Sequence, residues 1–241
     1  MAWATRAACR PSNWTRLPSR AAGTRRGMTK SDDSKTLVLR VLKVAGTTYA
    51  DEAGIRVSDK PMPLFQLLVL CMLASKPIDA TTAMRAAREV FKAGLRTPNA
   101  VLAADRRVMI SAFGRAHYVR YDESSATRLT DIAQRVRDEY SGDLREIAER
   151  CHHDAAQAKR MLKNFKGIGD TGADIYLREI QDIWTWVRPY FDDRATATAK
   201  KLGLPSDPAA LGKLSPRNNA RLAAALVRIS LDDDMRQRVT G

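Results

Sequence analysis

Apolar residues recur at three- and four-residue intervals along most of the chain, which is the spacing of helices with one buried face. Leu37, Val38, Val41 and Leu42 begin this pattern. No segment shows the alternation of apolar and polar residues that is typical of a half-buried strand. The pattern therefore predicts an all-α fold with about ten helices.

Prolines and capping aspartates mark where the predicted helices begin and end. Pro63 fits the first turn of a helix over residues 64–74, where its missing amide hydrogen costs little. Asp79 is a side-chain cap for a helix that stops at Gly94. The same periodicity predicts helices over residues 98–105, 108–113 and 124–140, and a further segment that begins at residue 144. It also predicts a helix over residues 154–165 that Asp154 caps, one over residues 171–183 and one that begins at residue 215, with a polar tail after Asp232.

The composition is that of a folded protein without a membrane span. The chain has 241 residues, of which 44% are hydrophobic. Its longest apolar run, Leu64–Ala74, is interrupted by Gln66 and is shorter than the roughly 18 residues that cross a bilayer. The three cysteines, Cys9, Cys71 and Cys151, are too few for a disulfide framework. We therefore expect a protein without membrane attachment in a reducing compartment.

The chain is strongly basic, with a formal net charge of +14. A basic surface binds polyanions by releasing counterions, and nucleic acid is the commonest such partner. Residues 1–27 hold six arginines and no acidic residue. This composition predicts a basic, disordered extension over residues 1–34. Residues 1–27 have the composition of a mitochondrial transit peptide. The interpretation that we prefer is that they lie upstream of the true start, which would be Met28 rather than Met1. In that case we expect a cytoplasmic, nucleoid-associated protein.

The segment Lys166-Gly167-Ile168-Gly169 lies between two helical patterns. Two glycines around one aliphatic residue allow a tight turn with exposed backbone amides. The N–H groups at the beginning of the second helix can then bind a phosphate without any base preference. The alternative is an ordinary turn between antiparallel helices.

A second feature is the pair Asp192 and Asp193, which begins 25 residues after Gly167. An aspartate before a helix is usually an N-cap, and either residue can cap the helix that ends at Leu202. A carboxylate held at a cleft can instead stabilise the positive sugar that forms when an N-glycosidic bond breaks. Both interpretations stay open from the residues alone.

The two features together resemble the helix-hairpin-helix DNA glycosylases of the endonuclease III superfamily. The hairpin corresponds to residues 162–173, and the family's aspartate corresponds to Asp192, ten residues before Leu202. Residues 64–79 are similar to the family's first core helix and the loop that follows. The resemblance extends over about residues 35–204 and implies two helical domains with a DNA-binding cleft between them. Residues 62–183 would form a six-helix domain that contains the hairpin. Residues 35–61 and 184–241 would together form the second domain.

The resemblance also implies roles for individual residues. The backbone at Gly167, Gly169 and Thr171 would bind a DNA phosphate, and Lys166 would lie against the DNA backbone. Asp192 would assist departure of the base. Asp193 would be a neighbouring carboxylate in the same cleft, or it would only cap the helix. In a separate loop, Lys76 would enter the duplex where a base is flipped out, or it is a solvated lysine.

Three aromatic residues lie between the hairpin and the predicted catalytic aspartate: Trp184, Trp186 and Tyr190. Aromatic rings at this position could stack against the extruded base or its sugar. Packing between the two domains is the interpretation that we favour, because large rings at this spacing usually belong to a core.

The chain departs from the family pattern in two informative ways. Bifunctional members have a lysine two residues after the second hairpin glycine, whereas this chain has Thr171. No cysteine follows Cys151, so the iron–sulfur cluster of many relatives is not expected. His152 and His153 have no second ligand cluster, so we expect no transition-metal site. The resemblance leaves only a structural cation, held by the carbonyls of the hairpin.

These inferences predict a monofunctional DNA glycosylase of base-excision repair. It would hydrolyse the N-glycosidic bond of a damaged or mismatched base flipped from double-stranded DNA, and it would act as a monomer without a cofactor. Two alternatives stay open. One is a lyase or endonuclease that acts at abasic sites through another amine, and the other is a catalytically inactive helix-hairpin-helix protein that only binds DNA.

Overall fold

The computed structural model describes the backbone of residues 30–241 and the side chains from residue 33 onward. All regular secondary structure in this part of the chain is helical, with fourteen α-helices, two short 3₁₀ turns and no strand, so the predicted all-α class is confirmed. The helices are α1 (Lys30–Ala45), α2 (Tyr49–Glu52), α3 (Pro61–Ala74), α4 (Ala80–Lys92), α5 (Pro98–Ala103), α6 (Arg106–Arg115), α7 (Asp122–Glu139), α8 (Glu146–Arg150), α9 (Ala155–Lys163), α10 (Asp170–Ile180), α11 (Asp193–Lys201), α12 (Pro208–Leu214), α13 (Asn219–Leu231) and α14 (Asp233–Thr240).

The N-terminal predictions fall largely outside the described residues. The structure does not describe residues 1–29. They include Cys9 and the arginine-rich segment that was interpreted as a transit peptide or an upstream extension. The predicted extension was drawn to residue 34, whereas α1 begins at Lys30. Residues 30–34 are therefore the beginning of a helix.

Two predicted caps are confirmed. Asp79 accepts a hydrogen bond from the Thr82 amide at 3.1 Å, and Asp154 accepts one from the Gln157 amide at 2.6 Å. Helix α3 begins at Pro61, earlier than predicted, because this proline also fits the first turn of a helix.

Three helices were not predicted: α2, α12 and α14. The last of them is formed by the segment expected to be a polar tail. Asp232 caps α14 by accepting a hydrogen bond from the Met235 amide at 2.9 Å, and Val239 is fully buried. Arg40 on α1 also donates a hydrogen bond to the Val239 carbonyl at 3.0 Å. The cap, the buried Val239 side chain and the hydrogen bond from Arg40 hold this tail against α1 as a helix.

The buried apolar residues form two clusters. The larger is built around α3, whose residues from Pro63 to Leu73 are all buried. The smaller is formed mainly by α1, α11 and α13. Tyr49, Trp184 and Val187 pack in the larger cluster, although the predicted boundaries assign them to the second domain. The division into two domains itself stays a prediction.

Within the described part of the chain, no helix combines the length and the apolar character needed to cross a membrane.

Candidate functional site

Glycine is needed at one point in the turn between α9 and α10 and at one point in the first turn of α10. Gly167 has a φ of +92°, and a Cβ there would lie 2.8 Å from Cδ of Arg128 and 3.2 Å from Cγ of Met72. A Cβ on Gly172 would lie 2.5 Å from the Ser75 hydroxyl oxygen. The turn is therefore pressed against α7 and against the C-terminal end of α3.

The beginning of α10 leaves backbone donors open to a ligand. Its N-cap is Gly169, which has no side chain to accept hydrogen bonds from the first-turn amides. The first residues of α10 line a groove of about 470 Å³, together with the turn, the end of α3 and the cationic side chains of Lys76 and Arg128. A helix N-terminus with uncapped amides and two adjacent cations is a suitable site for an anion such as a phosphate.

One carboxylate also lies at this groove. Asp170 is the first residue of α10, and its Oδ1 is 2.7 Å from Nζ of Lys163. The hydrogen bond from Lys163 lowers the pKa of Asp170, so this carboxylate is ionised at neutral pH. Its charge is offset by that lysine, which lies on the preceding helix.

A cleft of about 760 Å³ adjoins the groove. Thr171 and Lys76 line both cavities, so they form the border between them. From α10, Thr171, Asp174, Ile175 and Arg178 line the cleft because they share one helix face. The other walls are the loop and helix start at residues 76–81, the segment 192–194, and Tyr49, Val227, Arg228, Leu231, Asp232 and Met235.

Asp192 is the N-cap of α11, which settles the choice between the two neighbouring aspartates. Its Oδ1 accepts a hydrogen bond from the Ala195 amide at 2.9 Å, and its Oδ2 accepts one from Nη1 of Arg178 at 2.7 Å. The side chain is 9% exposed. Asp193 is the first residue of α11 and is exposed at the cleft. The two carboxylates therefore differ in accessibility.

Arg178 is a buried cation that is only partly paired. Its side chain is 3% exposed, and its guanidinium carbon lies 5.4 Å from the centre of the Tyr49 ring. Its Nε lies 3.9 Å from Oε1 of Glu179, but neither Nε nor Nη2 has a hydrogen-bond partner. Burial lowers the pKa of Arg178, and the charges of Asp192 and Glu179 more than offset this, so the pKa is raised overall.

Glu179 links this charge cluster to the beginning of α2. Its two carboxylate oxygens accept hydrogen bonds from the amides of Tyr49 and Ala50, at 3.3 and 2.9 Å. Burial raises the pKa of Glu179, while Arg178 acts in the opposite direction. The carboxylate thus fixes α2 and Tyr49 beside the guanidinium.

Helix α10 also holds the backbone that precedes Asp192. Gln181 exchanges two hydrogen bonds with the backbone of Tyr190, at 2.9 and 2.8 Å. The Tyr190 hydroxyl donates to Asp174, which also pairs with Lys159 at 2.5 Å. Burial, with the Asp174 hydrogen bond, raises the pKa of Tyr190, so this phenol stays protonated. Residues 190–192 are therefore held by three side chains, two on α10 and one on its C-cap residue Gln181.

The two predicted lysines lie in different environments. Lys76 is half-buried, and its Nζ lies 5.7 Å from the centre of the Tyr121 ring. Lys166 is 76% exposed at the outside of the turn, where its Nζ is 3.4 Å from Oδ2 of Asp131. Lys76 borders both cavities, whereas Lys166 lines neither of them.

The aromatic residues before Asp192 pack against protein and line neither cavity. Trp184 is buried, its ring is stacked on Trp186 at 5.4 Å, and its Nε1 donates to Asp59 at 3.0 Å. Tyr190 is engaged with Asp174. Packing therefore accounts for all three of the aromatic residues that the sequence singled out.

Four charged residues that line the two cavities were not singled out in the sequence: Asp174, Arg178, Arg128 and Arg228. Asp174 and Arg178 follow Thr171 by three and seven residues, so helical periodicity alone places them on its face. Arg128 and Arg228 come from helices far along the chain, and no local signal connects them with the site.

No group of three or more His, Cys, Asp or Glu side chains that could hold a metal ion occurs within residues 33–241. Cys71 and Cys151 are buried free thiols. Burial raises the pKa of the Cys71 thiol well above its ordinary value, which makes it unreactive.

Comparison with known proteins does not assign the chain to a family. The chain matches no protein-family model, no curated protein and no solved structure.

Proposed function

We propose that this chain is a monofunctional DNA glycosylase, which hydrolyses the N-glycosidic bond of a damaged or mismatched base flipped out of double-stranded DNA. The observation that carries the proposal is the common border of the two cavities. Thr171 and Lys76 line both the groove with uncapped amides and the cleft with Asp192. A phosphate in the groove would therefore lie next to a nucleotide in the cleft.

The groove would act as a helix-hairpin-helix phosphate site. Amides at Gly167, Gly169 and Thr171 would donate to a backbone phosphate, with Lys76 and Arg128 supplying positive charge. Such contacts are independent of base sequence, as a search along DNA requires. The carbonyls of the same turn would hold the structural cation that the resemblance implies.

The cleft would hold the extruded nucleotide. Its volume lies within the roughly 300–1,000 Å³ of ordinary ligand pockets. Breaking an N-glycosidic bond develops positive charge on the sugar, and a fixed carboxylate beside the sugar lowers that barrier. Asp192 would supply this carboxylate. Asp193, which is exposed in the same cleft, would be a second carboxylate near the water that attacks.

The product is expected to be an intact strand with an abasic site. Thr171 stands where a bifunctional enzyme would have its lysine, and a hydroxyl group cannot form a Schiff base with the sugar. Among the described residues that line the cleft, Lys76 is the one lysine. Any lyase activity would therefore depend on Lys76.

The short turn at residues 119–121 offers a contact for a distorted duplex. Val119 is 64% exposed, and Arg120 and Lys76 both lie near the Tyr121 ring, at 5.3 and 5.7 Å. Exposed apolar side chains beside cations can enter a kinked duplex between base steps. This turn would support the DNA where the base has left the stack.

A second candidate function is a DNA-binding protein without catalytic activity. The observation that favours it is the engagement of both Asp192 oxygens, one by the Ala195 amide and one by Arg178. A capping aspartate that also forms a structural ion pair would show the same two contacts.

Incubation with a panel of duplexes separates these functions. The duplexes carry uracil, thymine mismatches, alkylated purines, hypoxanthine or oxidised bases, and half of each product is treated with hot alkali. A glycosylase gives strand cleavage only after alkali, and Asp192→Asn abolishes it. Cleavage without alkali, trapped by borohydride in the wild type and lost in Lys76→Ala, would establish the lyase instead. Tight binding without base release on every duplex would favour the binding protein.

A further inference from the structure

We infer that Arg178 is a positioning residue that fixes the orientation of the Asp192 carboxylate for base release. The inference rests on the proposed function in one respect, because it assigns Asp192 a reaction to perform. The contact itself, between Nη1 of Arg178 and Oδ2 of Asp192 at 2.7 Å, is a property of the structure.

The carboxylate is held from two helices at once. The Ala195 amide on α11 donates to Oδ1, and the Arg178 guanidinium on α10 donates to Oδ2. Rotation of the carboxylate would break both hydrogen bonds. An N-cap alone leaves the second oxygen free, so Arg178 is the contact that fixes the plane of the group.

The backbone near Asp192 is fixed without Arg178. Gln181 holds the Tyr190 backbone through two hydrogen bonds, and Asp174 holds the Tyr190 hydroxyl. Attachment of this segment to α10 therefore does not need a third, charged contact. What Arg178 adds is control of the side-chain direction.

Arg178 is also a costly residue for packing alone. Its guanidinium is 3% exposed, and Nε and Nη2 have no hydrogen-bond partner. Burying a charge with unpaired donors is unfavourable, and an apolar side chain of similar size usually packs at lower cost. The presence of a partly unpaired cation at the point where it contacts Asp192 favours a role in orienting that carboxylate.

Two variants and one control test the inference. Arg178→Met keeps the length of the side chain and removes its charge, and Arg178→Lys keeps the charge without the planar fork. The control is Arg188→Met. Arg188 pairs with Asp182 at 2.5 Å and also has a buried Nε without a partner, but it lines neither cavity.

The first readout is hydrogen exchange of the Ala195 amide, which reports the Asp192 contact without any substrate. We expect exchange at Ala195 to become at least about tenfold faster in Arg178→Met, because the carboxylate then rotates away from its cap. Amides at the C-terminal end of α11 serve as the internal reference for general loosening. In Arg188→Met, exchange at Ala195 stays at the wild-type rate. If Arg178→Met does not fold, Arg178→Lys gives the same comparison with a smaller increase.

The second readout is single-turnover base release at saturating protein. Misplacement of a reacting group can reduce a rate by about 100-fold, and we expect a loss of this size in Arg178→Met with DNA affinity unchanged within about twofold. Added guanidinium restores part of the rate in Arg178→Ala, whose truncated side chain leaves room for it, and none in Asp192→Asn. A merely structural role would not produce this rescue.

Unchanged Ala195 exchange in Arg178→Met would overturn the inference. Equal losses of base-release rate in Arg178→Met and Arg188→Met would also overturn it. If the wild type releases no base from any duplex, the glycosylase proposal fails and the catalytic purpose of the contact fails with it. Exchange at Ala195 still decides in that case whether Arg178 orients Asp192, so the two failures are distinguishable.

Discussion

Two regions of helix α10 differ in how their polar groups are paired. At its N-terminal end, the amides are uncapped, and the first residues line an open groove with Lys76 and Arg128. Seven residues after Thr171, which is about 10 Å along a helix, Arg178 is buried against a carboxylate whose two oxygens are both engaged. The first region leaves donors open for a ligand, and the second fixes a charged group. One helix can thus combine binding at its N-terminal end with orientation of a carboxylate near its C-terminal end.

The largest expected effect comes from removing the carboxylate of the second region. Asp192→Ala should lower the free energy of unfolding by about 3 kcal/mol, because it leaves the buried Arg178 guanidinium without its closest partner. Asp154→Ala is the matched control, since Asp154 also caps a helix but is exposed and forms no salt bridge with any described residue. This control should lose only about 1 kcal/mol. Denaturant unfolding of the two variants measures the difference, and equal losses would mean that the ion pair contributes nothing.

The next largest effect concerns the groove. Gly167→Ala places a Cβ in a left-handed backbone and against Arg128 and Met72, so the turn must shift. We expect DNA affinity to fall by about tenfold, equivalent to the loss of one or two phosphate contacts. Gly142→Ala has the same type of backbone strain, with a φ of +81° and no atom within 4 Å of the new Cβ. Fluorescence anisotropy with a labelled duplex should show wild-type affinity for Gly142→Ala, and a similar loss in both variants would remove the groove from DNA binding.

The smallest effect is expected from a single cation at the border of the two cavities. Lys76→Ala should reduce the slope of log affinity against log salt by about one, as expected for one phosphate contact. Lys213 is exposed and lines neither cavity, so Lys213→Ala provides the control. Titrations at several salt concentrations give both slopes. An unchanged slope in Lys76→Ala would make Lys76 a surface residue packed on Tyr121.

Local signals in the sequence predict much of the helical framework. Asp79 and Asp154 are recognisable caps because their side chains reach an amide three residues ahead, which involves no distant part of the chain. The turn at Gly167 is recognisable for a similar reason, since glycine is suited to a left-handed backbone. The tail after Asp232 is helical because Val239 finds a buried position, and a short polar segment does not reveal that position.

The site is less accessible to prediction because its contacts join distant segments. Asp192 was singled out by its spacing, but its pairing with Arg178 depends on how α10 and α11 pack. Tyr49 meets Arg178 at the point where Glu179 binds the beginning of α2. Periodicity could have placed Arg178 on the face of Thr171, whereas no pattern in the chain predicts its partner.

The most direct test of the two-region comparison is to measure DNA affinity and single-turnover base release together, on one duplex, for Asp192→Asn and Gly167→Ala. We predict that Asp192→Asn lowers the rate of base release by at least about 100-fold and leaves affinity within about twofold of the wild type. Gly167→Ala should lower affinity by about tenfold and keep the wild-type rate once the duplex is saturated. If either variant loses affinity and rate together, orientation and binding are not separate functions of α10, and the account is contradicted.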